Sequence, residues 1–186
     1  GLNYSPTMKM FSGAGNYNKD PYNNIQANPW GLVHAQQSDR NRTMVTGHVD
    51  LKFNILPGLT FTTTNGIDFN DYKGYSLSSA KLFGKTDMGN NNTQVMALQT
   101  TNNLTYVGKW GQHNLTATGV WEATSHETRG MSIDGKNVAQ EFLGYWNVKN
   151  AANRDADNSY SKWTMLSGVA RVMYNYADRY MLTGTF

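Results

Sequence analysis

Between residues 42 and 70 the apolar side chains fall on every second position, twice over, on either side of a Pro-Gly step. On the first arm Val45, Gly47, Val49, Leu51 and Phe53 alternate with Thr46, His48, Asp50, Lys52 and Asn54. On the second, Leu59, Phe61, Thr63, Ile67 and Phe69 alternate with Thr60, Thr62, Thr64, Asp68 and Asn70. A period of two is that of an extended strand whose faces meet different solvents. Residues 55–58 carry Pro57 and Gly58, one fixing φ and the other permitting positive φ, so the two arms form a hairpin. Eleven residues at about 3.3 Å each give roughly 36 Å of strand, and a tilt near 45° projects this to about 26 Å, the apolar height of an outer-membrane barrel. Strands of soluble sheets are about half as long.

Whole-chain composition conceals this pattern. With 186 residues, 39% of them hydrophobic, and a mean hydropathy of −0.60, the chain has the average polarity of a soluble protein. A membrane barrel has that average too, because half of each strand faces a wet lumen and the loops are polar. No apolar run is long enough for a transmembrane helix. The formal charge of +3 and pI of 9.0 come from Lys and Arg scattered along the chain, with no basic run, which argues against a nucleic-acid partner. There is no cysteine, so disulfides and thiolate chemistry are excluded. Gly1 begins the chain without an initiator Met, and Phe186 ends it inside an alternating segment, so the sequence reads as an interior piece of a longer polypeptide.

Taken in order, residues 1–41 read as a long Gly-, Asn- and Tyr-rich loop punctuated by Asn28, Pro29 and Trp30. The hairpin 42–70 follows, then a loop 71–94, a hairpin 95–124 turning at residues 110–112, a loop 125–161 with a helical turn near 138–143, and a hairpin 162–186 turning at 175–178. Short turns thus alternate with long loops. The fold expected is all-β: an antiparallel transmembrane β-barrel segment of about six strands from a larger barrel, its short turns periplasmic and its long loops extracellular. The outward faces carry no charged residue; Asn65 and Asn102 are polar exceptions that a bulge could re-aim. Phe53, Phe61, Tyr106, Trp110, Tyr174 and Tyr180 lie near short turns, and Phe69 and Trp121 toward the opposite strand ends, as two aromatic belts at the membrane interfaces would require.

One stretch is more specific than alternation. Ala170, Arg171, Val172, Met173, Tyr174, Asn175, Tyr176, Ala177, Asp178, Arg179, Tyr180, Met181, Leu182, Thr183 and Phe186 resemble the motif small-Arg-x-x-Tyr-x-Tyr-x-Asp-basic-Tyr-x-Leu-Thr of SusC/RagA-type TonB-dependent outer-membrane transporters of the Bacteroidota. His113, Asn114 and Leu115 leading to Gly119 and Glu122, and Asn28 with Pro29, are weaker matches. The resemblance implies a barrel of about twenty-two strands around a plug. It also implies import of glycans or peptides powered through TonB, and a SusD-like surface lipoprotein as lid. Plug and TonB box are not in this chain, so the remainder of its own barrel and plug, together with the lipid bilayer of a Gram-negative outer membrane, are implied partners. The alternatives that the residues leave open are a passive porin or structural outer-membrane barrel, and a soluble carbohydrate-binding β-sandwich.

No catalytic constellation stands out, and no enzyme activity is expected. His34, His48, His113 and His126 lack metal-ligand spacing, no serine sits in a Gly-x-Ser-x-Gly elbow, and Gly13 and Gly15 lack the strand-to-helix setting of a phosphate loop. Asn153, Asp155 and Asp157 alternate like the start of a calcium loop over residues 153–159, although Asn158 replaces the glycine and Thr164 the bidentate Glu of that motif. Otherwise no cofactor is expected. Substrate contact is expected from the loop aromatics Trp30, Tyr72, Tyr75, Tyr145 and Trp146, and from the inward-pointing Asp68, Glu122 and Arg171.

Overall fold

The computed structural model describes residues 9–18 and 28–186; residues 1–8 and 19–27, part of the first expected loop, lie outside the described ones. Six strands follow one another: β1 Gln36–Leu56, β2 Leu59–Ser78, β3 Asp87–Trp110, β4 His113–Val138, β5 Ala151–Tyr176 and β6 Tyr180–Thr185. They pair strictly in chain order in one sheet, an up-and-down meander with β1 and β6 at its two ends. Among the described residues there is one sheet, without the second packed sheet that a β-sandwich has.

The strands outrun the alternation that announced them. The loop expected at 71–94 is strand except for a connector at 79–86, which holds the short helix α2, Ala80–Phe83. That expected at 125–161 shrinks to 139–150, with 3-10 turns at Glu141–Trp146 and Val148–Asn150 in place of the turn near 138–143. Within residues 1–41, a short helix α1 spans Pro29–Ala35 and β1 begins directly after it. The reason is physical: where both faces of a strand are wet, side-chain polarity loses its period while the backbone ladder continues unchanged.

By contact, the chain divides into two compact units, and the division falls where the alternation stops. One comprises Met44–Asn70, Val95–Thr128 and Tyr160–Phe186; the other comprises residues 1–43, Asp71–Gln94 and Arg129–Ser159.

The alternating unit has no interior. Val49, Leu51, Leu104 and Leu182 are 59, 46, 37 and 72% exposed, so these side chains do not meet in a shared dry core. Its turns are tight. Gly58 takes φ +83° and accepts Val107 N–H through its carbonyl at 2.7 Å; a Cβ there would lie 2.2 Å from the Val107 carbonyl oxygen. At the other hairpin Ala177 and Asp178 both hold positive φ, the Tyr176 carbonyl accepts Arg179 N–H at 3.0 Å, and the Asn175 amide donates to Asp178 at 2.8 Å. That turn sets the antiparallel register Tyr176 to Tyr180 through Arg171 to Thr185.

The connector unit does have a core, built from Leu77, Met88, Val138 and Ala151 with Tyr145 and Val148 packed against it. The side chain of Asn28 caps α1 by accepting from the N–H groups of Trp30 and Gly31, with Pro29 at the first helical position. Ser79 caps α2. Glu141 ties the two connectors together, accepting from Thr86 Oγ1 at 3.0 Å and Ala80 N–H at 3.3 Å.

Candidate substrate-contact and membrane-facing surfaces

Hydrogen bonds show which side chains share a face. Thr46 donates to Asp68, Thr64 to Asp50 and Thr60 to Asn54 across β1 and β2, at 3.3, 2.6 and 3.3 Å. Thr101 donates to Glu122 across β3 and β4 at 3.2 Å. These pairs form a polar face, a lattice of short hydroxyls and carboxylates. The apolar residues of the same strands occupy the other face, and there the two polar exceptions are satisfied locally. The Asn65 amide donates to Thr63 Oγ1 at 3.1 Å and Asn102 to Thr100 Oγ1 at 3.4 Å. Bonding between residues two apart keeps each on the outward face, so no re-aiming bulge is involved.

The outward aromatics cluster by stacking. Phe53 and Phe61 lie 6.3 Å apart and Tyr106 and Trp110 6.3 Å apart. Tyr176 stacks on Tyr180 at 6.4 Å, and the Tyr174 hydroxyl meets His113 Nδ1 at 2.5 Å. Trp121 departs from the expectation. Its ring stacks on Phe61 at 5.9 Å, so it belongs with the turn-side aromatics rather than at the far end with Phe69. β4 runs on to Val138, so Trp121 is not near that strand's far end.

At the connectors, three of the five expected loop aromatics converge. Tyr75 of β2 stacks on Tyr145 at 5.3 Å and on Trp146 at 4.7 Å, and Tyr145 and Trp146 are 5.3 Å apart. The Tyr145 hydroxyl donates to the Asp39 carboxylate of β1, and that bond to an anion raises its pKa above the ordinary 10, with partial burial adding to the rise. Gly144, at φ 67° and ψ −165°, breaks the 3-10 turn and delivers the two rings to this position; that backbone region is accessible essentially to glycine alone. Trp146 stays 70% exposed with one side backed by tyrosines. Tyr72 lies instead under the Arg42 guanidinium, 4.9 Å from its ring centroid, and Trp30 stacks on His34 within α1. Nearby, burial pushes the Asp71 carboxyl up, but hydrogen bonds from Lys73, Asn92 and Gln94 outweigh it and hold the pKa below the ordinary carboxylate value.

Among the inward candidates, Asp68 accepts from Thr46 and Asn70, Glu122 accepts from Thr101, and Arg171 lies opposite Thr185. Sequence reading missed Trp163, which stacks on His126 at 5.3 Å and 8° between planes. The signal was there in parity, since Trp163 falls among the less polar inward residues of β5. Residues 153–159 belong to β5. In an extended strand, side chains two apart are separated by about 6.7 Å, so Asn153, Asp155 and Asp157 are spaced along β5 rather than around a loop. Among the described residues no three His, Cys, Asp or Glu side chains gather as metal ligands.

No family profile matches the chain. By sequence it is similar to TonB-dependent receptor P3 of Formosa agariphila, 24% identical over 189 aligned positions that cover 98% of this chain and 19% of that protein. By fold it is similar to the RagAB peptide transporter, with a TM-score of 0.72 at 12% identity over 83% of this chain and 18% of that one. The RagAB peptide importer in its closed-closed and open-open states gives TM-scores of 0.72 and 0.67, each at 13% identity. The chain therefore spans about a fifth of the length of the proteins it matches. A sequence relative over nearly the whole chain and a shared fold agree with the motif at residues 170–186: the chain is similar in sequence to a stretch of a TonB-dependent receptor and in fold to a stretch of the RagAB transporter.

Proposed function

We propose that the chain forms part of the barrel wall of an outer-membrane transporter that imports glycans or peptides through TonB, beneath a SusD-like surface lipoprotein. The observation that carries this reading is the division of labour across single strands. Val45, Val49, Leu51 and Phe53 are exposed on one side of β1, while Thr46, Asp50 and Asn54 join the hydrogen-bonded polar lattice on the other. Such a sheet suits hydrocarbon on one face and a wet enclosed lumen on the other. In this reading the Pro57-Gly58 turn and its two counterparts face the periplasm, and the connectors with Tyr75, Tyr145 and Trp146 face outward to meet lid and substrate. The role is transport rather than catalysis, and no residue is assigned to bond-making.

The experiment is uptake by cells carrying the native-length protein, with and without functional TonB. Uptake of its nutrient should cease when TonB is removed. Uptake that persists unchanged would replace this reading with a passive porin.

A further inference from the structure

We draw no further inference here: the strongest candidate, the apolar groove lined by Leu98, Thr100, Ala123, Ser125, Thr164 and Leu166 on the outward face of β3, β4 and β5, carries nothing because nothing in the structure shows what covers it.

Discussion

At the residue scale, the Tyr145 hydroxyl donates to the carboxylate of Asp39, 106 positions away in the chain. Tyr75, Tyr145 and Trp146 were legible as loop aromatics, but Tyr75 lies far in the chain from the adjacent Tyr145 and Trp146, and nothing in the sequence says that Asp39 holds the Tyr145 hydroxyl. That bond has a definite pH dependence. Folding raises the phenol pKa above 10, so its contribution to stability is fully present below pH 10 and is lost as pH rises through the higher folded value. In the absorbance titration near 295 nm, one tyrosine should therefore ionise later than the exposed ones, and Tyr145→Phe should remove that late step. If the late step persists in Tyr145→Phe, it belongs to another tyrosine. Trp163 shows the converse. Its parity was legible in the sequence, but its company appears only when a neighbouring strand brings His126 against it.

At the scale of the element, hairpins were legible wherever one face meets an apolar medium, because a one-residue slip there would exchange every apolar side chain for a polar one. Extensions of the same strands were not legible, since Asp71, Tyr72, Lys73 and Gly74 have no face to declare, and residues 153–159 look like a loop while lying within β5. The faces themselves can be tested by placing a charge on each. Arginine at Val49 or Leu104 should cost about 2–4 kcal/mol in barrel stability if those positions lie near the middle of the bilayer, whereas Thr62→Arg, on the wet side, should cost little. Urea-dependent folding of the native-length protein into vesicles measures this. Equal losses at all three positions would contradict a lipid face on β1 and β3.

For the whole molecule, the sheet ends matter most. Among the described residues β1 has β2 as its one neighbour, so it forms one end of the sheet, and it is exposed along all 21 of its residues. An edge this long, with Val45, Val49 and Leu51 exposed beside it, is a template for further pairing. The 186-residue chain expressed alone is therefore expected to self-associate in detergent-free buffer, as followed by light scattering, and a monodisperse monomer there would argue against its being a barrel wall. Side-chain order by itself determined the period-two hairpins, the Pro-Gly and Ala-Asp turns and the family motif, because each depends on residues near in sequence. Only the tertiary structure decided how far the strands run, that Trp121 meets Phe61, and which rings and carboxylates share a surface, because those follow from backbone pairing between strands, which side-chain polarity does not record once both faces are wet.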